Sequence, residues 1–188
     1  MAQRVLVPIA DGSEEIEAVC IIDTLRRAGA EVTVASVSGR LQVTASRGTK
    51  IIADRLIEEC LGSRYDLIAL PGGMPGAEHL RDDETLIRLL KDQQAEGRAY
   101  GAICAAPAVV LLPHGLLAGH RATCFPSFLD RLREARDVEA LTDRVVIDGN
   151  VVTSQGPGTA LEFALALVEV LFGDPTLVKA LRERMLVK

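Results

Sequence analysis

Tryptophan is absent from the 188 residues, and aromatic side chains of every kind make up only 3%. The core must therefore be built from Val, Leu, Ile and Ala, and little is available to stack unpaired nucleic-acid bases. Excess positive charge is missing as well. There are 21 Lys and Arg against 26 Asp and Glu, a formal net charge of −5, with no basic stripe to meet a phosphate backbone. Nucleic acid is not expected as a primary partner. Long apolar runs are lacking at the start: "MAQRVLVPIADGSEE" returns to charge too soon for a signal-peptide core or a membrane span. This predicts a cytoplasmic protein with no membrane partner. The four cysteines (Cys20, Cys60, Cys104 and Cys124) include no C-x-x-C pair, so no metal site is suggested and free thiols are expected.

What is present alternates between strand and helix patterns. Arg4 to Ala10 reads as a strand, "GSEEIEAVCIIDTLRRAG" as a helix and "AEVTVASV" as a second strand. "RLQVTASRGTKIIAD" suggests a hairpin-like excursion, and "YDLIALPGG" a buried strand entering a glycine turn. "DDETLIRLLKDQQAEG" has apolar residues at helical spacing. "RVVIDGNVVTS" reads as a hairpin turning at Asp148-Gly149. "TALEFALALVEVLFG" is an apolar helix whose Thr159 and Glu162 have the spacing of a capping box. "DPTLVKALRERM" is a last helix capped by Asp174. Continuous apolar strands between helices imply a mainly parallel sheet covered on both faces, in one domain spanning 1–188. Pro8 is the discordant residue, because it removes a ladder donor from the first strand.

In an open α/β sheet, ligands gather at the carboxyl ends of the strands. Four loops of small residues fall there: Asp11-Gly12-Ser13, Pro71 to Gly76 with Gly72 in it, Cys104 to Pro107, and Gln155 to Gly158 with Gly156 and Pro157. They could line one pocket. Cys104 occupies a strand-to-helix turn with only Ala105 and Ala106 beside it, the logic of a nucleophile elbow. The helix N-terminus that follows should lower the thiol pKa below about 8.5. The alternative is a buried core cysteine. Cysteine nucleophiles commonly use a histidine. His79 could approach the rim, whereas His114 and His120 should lie across the sheet. Among the carboxylates, Glu14 and Glu15 suit the helix dipole. Glu17, flanked by Ile16, Ala18 and Val19, could be desolvated, protonated and able to shuttle a proton. Cys20 is expected in the core with Ile16 and Val19, while Cys60 and Cys124 could be exposed. A Cys104–Cys124 cross-link would require close approach.

"DGSEEIEAV", "DLIALPGG", "GAICAAP" and "TSQGPGTALEFALALVE" together resemble the ThiJ/PfpI superfamily, in order and over essentially the whole chain. The likeness is strongest to its parkinsonism-associated, deglycase-like branch and to bacterial YajL-type members. This resemblance implies a flavodoxin-like three-layer α/β sandwich, a homodimer, and a strained nucleophile-elbow cysteine at Cys104 beside a protonated Glu17. It also implies backbone donors at Gly73 and Ala105 and a pocket-side arginine at Arg47. Glyoxalase, deglycase, chaperone and oxidative-stress roles are ascribed to such proteins, and no cofactor is implied. Three departures stand out: Phe125 replaces a histidine of some members, Ala105 replaces the histidine that protease-like members carry after the cysteine, and Gln155 replaces an arginine.

Two functions follow. One is an enzyme that consumes small reactive carbonyls such as methylglyoxal through Cys104 and Glu17. The other is a stress-response redox sensor or oxidation-activated chaperone, acting on damaged proteins, in which Cys104 becomes a sulfinate without turnover. Nucleotide or flavin binding finds no support, since "PGGMPG" lacks the P-loop lysine and "GPGTAL" the third glycine of a dinucleotide fingerprint.

Overall fold

The computed structural model describes residues 2–187. Strand β1 (Arg4–Ile9) leads to helix α1 (Glu15–Arg27) and β2 (Glu31–Ser36). Next come β3 (Gln42–Thr44), β4 (Lys50–Ile52), β5 (Arg55–Leu56) and β6 (Leu67–Leu70), then α2 (Gly76–Asp82) and α3 (Glu84–Ala95). β7 (Ala99–Ile103) runs into a wide-turned helical segment, Pro107–Leu111. The chain continues through β8 (Arg121–Ala122), α4 (Leu129–Glu134), β9 (Glu139–Ala140), β10 (Val145–Asp148), β11 (Val151–Ser154), α5 (Ala160–Phe172) and α6 (Pro175–Arg184). Among the described residues, no helix is long and apolar enough to cross a membrane.

Seven strands form one sheet in the order β10-β11-β7-β6-β1-β2-β5, parallel except for β10. Alternate residues feed the two faces. Leu6, Ile68, Leu70, Tyr100 and Ala102 pack on one side with Leu80, Leu86 and Leu90 of α2 and α3. Val5, Val7, Ile9, Leu67, Ala69 and Ile103 pack on the other with Ile21 and Leu25 of α1 and with Phe163 and Leu167 of α5. The expected sandwich is thus present, with the expected excursion as the antiparallel pair β3–β4.

Pro8 fits because alternate residues of β1 face alternate neighbours. Ile9 bonds toward β2 by accepting from Val37, so Pro8 faces β6, where pairing ends at Leu6↔Ile68. Two sequence expectations need correction. In the β10–β11 hairpin Asp148 pairs with Val151, so the turn is Gly149-Asn150, one residue later than expected. Thr159 does not cap α5 with its side chain. Its hydroxyl instead bonds the Gly156 carbonyl and the Ser154 hydroxyl, while Glu162 pairs with Arg144 at 2.7 Å. Asp174 does cap α6, accepting from Thr176 and Leu177.

Helix α1 buries Glu17 as expected but departs from expectation at Cys20, Ile16 and Val19. Its buried face carries Glu17, Ala18, Ile21, Thr24 and Leu25. Ile16 and Val19 are 53% and 51% exposed, and Cys20 is only half-buried. The helix has two apolar stripes, and the sheet can cover one.

Candidate active site

The carboxyl ends of β1, β6, β7 and β11 bring the four small-residue loops together around Cys104. This residue has φ +65°, a left-handed conformation that a residue with a β-carbon adopts at a cost of about 1–2 kcal/mol. Flanking bonds hold it there: its N–H donates to the Ser154 carbonyl at 2.9 Å, and its carbonyl accepts from the Phe125 N–H at 2.8 Å. Gly72 passes so close that a β-carbon on it would lie 2.6 Å from Cys104 Cβ. Cys104 is 9% exposed.

Glu17 enters from α1. Its position follows from the cap: Glu14 Oε2 accepts the Glu17 N–H at 2.8 Å, and Ser13 folds back on Ala10, which aims the first turn of the helix at the sheet edge. Glu17 is fully buried. Its Oε2 accepts the Gly72 N–H at 2.8 Å, while Oε1 is buried without a hydrogen-bond partner of ordinary geometry. Burial raises the Glu17 pKa to about 7, opposed by the Gly72 N–H and reinforced by the nearby Glu14 charge.

The expected lowering of the Cys104 pKa does not hold. Burial pushes the thiol up to about 12, with the Glu17 charge adding to the rise, against the Gly73 and Ala105 N–H groups, which lower it. The physical reason is that the water lost on burial outweighs what the start of the following helix offers. That helix is a short segment in which Leu112 N–H reaches back to Pro107, so few aligned peptide dipoles aim at the sulfur. Cys104 and Glu17 form a buried pair in which the Glu17 charge opposes ionisation of the thiol.

Other candidates fall further away. Glu15 is more than a dipole partner: burial would raise its pKa, but N–H donors and the Ser46 hydroxyl outweigh this and pull it to about 2. It accepts from the backbone N–H of Arg47 at 3.0 Å, from Ser46 Oγ at 2.9 Å and from Thr49 N–H at 3.4 Å. Arg47 thus marks the loop pinned over α1, with an exposed side chain. Gly156, followed by Pro157 at the start of a short helical turn, lies beside Phe125, whose ring stands 3.2 Å from where a Gly156 β-carbon would sit. Gln155 gives its amide to the Thr142 carbonyl.

The histidines have other partners. His79 contacts the Asp11 carbonyl, His114 the Arg81 carbonyl, and His120 the Asp148 carboxylate at the far end of β10. Cys60 and Cys124 are not exposed thiols: each is 1% exposed. Cys124 packs in the opposite core layer from Cys104, and burial pushes its pKa up to about 12. A groove of about 570 Å³ lined by Arg81, Ile87, Lys91 and His114 lies apart from Cys104. Sequence reasoning missed the backbone anchors at Ser154 and Phe125, because a main-chain contact leaves no signature in residue type.

The sequence profile of the DJ-1/PfpI family matches residues 3–170. Protein DJ-1 homolog B of Arabidopsis thaliana is 53% identical over 170 residues, which are 90% of this chain and 38% of that protein. The chain therefore spans well under half the length of the Arabidopsis relatives it matches. The glutathione-independent glyoxalase DJR-1.2 of Caenorhabditis elegans is 41% identical over 169 residues, covering 90% of this chain and 88% of the relative. The structure of Toxoplasma gondii DJ-1, oxidized, superposes with a TM-score of 0.94 at 50% identity, covering 98% of each chain. With the sandwich, the motif order and these likenesses in agreement, the chain belongs to the DJ-1/PfpI family, in the branch of the plant and animal DJ-1 homologues.

Proposed function

We propose that this protein is a cofactor-independent glyoxalase that converts methylglyoxal-type 2-oxoaldehydes to 2-hydroxy acids through Cys104 and Glu17. One observation carries the proposal: a fully buried carboxyl has one oxygen held by the Gly72 N–H and interacts with the thiol of Cys104, which sits in a strained turn. The 41% identical relative named as a glutathione-independent glyoxalase supports it.

In this reaction the sulfur bonds to the aldehyde carbon, C1, and the thiol proton passes through Glu17 to the aldehyde oxygen. No free thiolate accumulates, which suits a thiol whose pKa is raised. The Gly73 and Ala105 N–H groups stabilise the negative oxygen as the bond forms. Glu17, with a pKa near neutrality, then removes the C1 proton and returns one to C2. The hemithioacetal becomes the thioester of a 2-hydroxy acid. C1 is oxidised by two electrons as C2 is reduced, so no outside oxidant is needed. Water cleaves the C–S bond, releasing the acid and restoring the thiol. Removing free aldehyde also drains reversible carbonyl adducts from proteins, a deglycase-like consequence.

The test is lactate formation from methylglyoxal by freshly reduced protein, alongside Cys104→Ser and Glu17→Gln. Many turnovers, abolished in both variants, are expected; full turnover in Glu17→Gln overturns the shuttle role. A sensor or oxidation-activated chaperone is favoured by the likeness to a DJ-1 described as oxidized. That alternative predicts no lactate, and a mass gain of two oxygens at Cys104 under mild peroxide.

Two further points belong to the same proposal. The exposed Ile16–Val19 stripe on α1 suits a homodimer contact, testable by solution mass with Val19→Glu. The "GAICAAP" and "SQGPG" motifs support kinship with the bacterial YajL-type members.

A further inference from the structure

Two of the large apolar side chains that the fold leaves exposed belong to residues linked through the main chain to the Cys104 turn. Met74, 41% exposed, follows Gly73, whose N–H faces the sulfur. Phe125, 39% exposed, is joined to Cys104 from the other side by its N–H bond to the Cys104 carbonyl. The Phe125 main chain is held at this point, and its ring lies over Gly156. Its carbonyl accepts from the Phe128 N–H at 2.8 Å, and its ring carbons lie 3.2 and 3.6 Å from the β-carbon position at Gly156. Gly156 is in turn tied to the same site, two residues after the Ser154 carbonyl that holds the Cys104 N–H. Polar groups nearby are already engaged: Gln155 with Thr142, and Arg144 with Glu162 and the Gly158 carbonyl. The structure thus leaves apolar surface, at an energetic cost in water, on residues that adjoin the cysteine turn from the β6 end and from the Phe125 segment.

We infer that Met74 and Phe125 form an apolar rim that makes 2-oxoaldehydes with a bulky apolar group at C2, aryl ones above all, better substrates than methylglyoxal. This rests on the glyoxalase reading of Cys104 and Glu17. The rim contacts the substituent on C2 while the reacting aldehyde reaches the sulfur. Aromatic and thioether side chains reward an aryl face through stacking and sulfur–ring contact. A methyl group is too small to reach both.

The experiment compares kcat/KM for phenylglyoxal and methylglyoxal in wild type, Phe125→Ala and Met74→Ala. Both substituted side chains are substantially exposed, so the fold should tolerate their loss. The phenyl-to-methyl ratio is expected to fall about tenfold in Phe125→Ala, the scale of a lost hydrophobic contact in specificity, and several-fold in Met74→Ala. The change should come mainly from the aryl substrate. A ratio unchanged in both variants overturns the rim. Absence of turnover on either aldehyde in wild type defeats the glyoxalase reading instead, and the rim is then read separately. Cys104 alkylation by N-phenylmaleimide and N-methylmaleimide, followed by intact mass with Cys104→Ser as control, should show a phenyl preference that Phe125→Ala reduces. An equal preference in wild type and Phe125→Ala overturns the rim.

Discussion

A β-carbon placed on Gly72 would lie 2.6 Å from the Cys104 β-carbon and 2.8 Å from the Ile103 carbonyl oxygen. Contacts that short do not occur between real atoms, so the ends of β6 and β7 can approach this closely only with glycine there. The same residue donates its N–H to Glu17. Gly72 therefore sets the spacing of Cys104 and Glu17. Gly72→Ala should lower stability by about 1–3 kcal/mol, the range for overpacking a close-packed interior. It should also reduce lactate formation more than that loss explains. Urea midpoints and turnover on the same samples check this.

Glu17 makes stability depend on pH in an unusual direction. Its carboxyl has a folded pKa of about 7 against 4.5 for the ordinary group. The folded state therefore binds the proton more tightly, and stability falls as pH rises from about 4.5 through 7. Cys104, with its pKa near 12, stays protonated across that window. Glu17→Gln should match wild type near pH 4 and exceed it by up to about 3 kcal/mol at pH 8. Urea unfolding at several pH values tests this; a difference that does not grow with pH would disprove it.

The left-handed turn at Cys104 stores strain that the rest of the fold supports. Cys104→Gly should be more stable than Cys104→Ala by about 0.5–1 kcal/mol. Relief of the turn, about 1–2 kcal/mol, outweighs part of the added flexibility of glycine. Paired thermal melts of the two variants give the comparison directly.

Glu15 anchors the turn between β3 and β4 through the Arg47 and Thr49 N–H groups and Ser46. Glu15→Gln should raise amide exchange at Arg47 and Thr49 by about tenfold, the equivalent of about 1.4 kcal/mol of local opening. Exchange at Ile21 and Leu25, deep in α1, should not change. In wild type the anchor should weaken only in acid, as pH falls below about 4.5 toward the Glu15 pKa of about 2.

The burial of Cys60 and Cys124 gives a labelling pattern. In native protein a thiol reagent should reach Cys20, which is half-buried, and leave Cys60 and Cys124 unmodified until urea unfolds the chain. Peptide mass mapping before and after unfolding reads it out.

By itself the sequence determined the sandwich and the place of Cys104 at a strand end. The runs through β1, β6 and β7 are too apolar and too short for anything but buried strands, and they alternate with helices of clear period. Small residues after the strands could only be turns, which put Cys104 at a strand end. These signals are local, so they survive without the fold. Only the tertiary structure decided which apolar stripe of α1 would meet the sheet: Glu17 went inward and Ile16 and Val19 stayed in water. It also decided that Thr159 would serve Gly156 and Ser154 rather than cap its helix, and that Phe125 would bond to Cys104 from 21 positions away. The acidity of Cys104 belongs to this second group. A thiol responds to every dipole and charge around it and to the water it loses. Here burial and Glu17, brought to the same sheet edge by α1 from 87 positions away in the chain, outweigh the turn that the sequence displays.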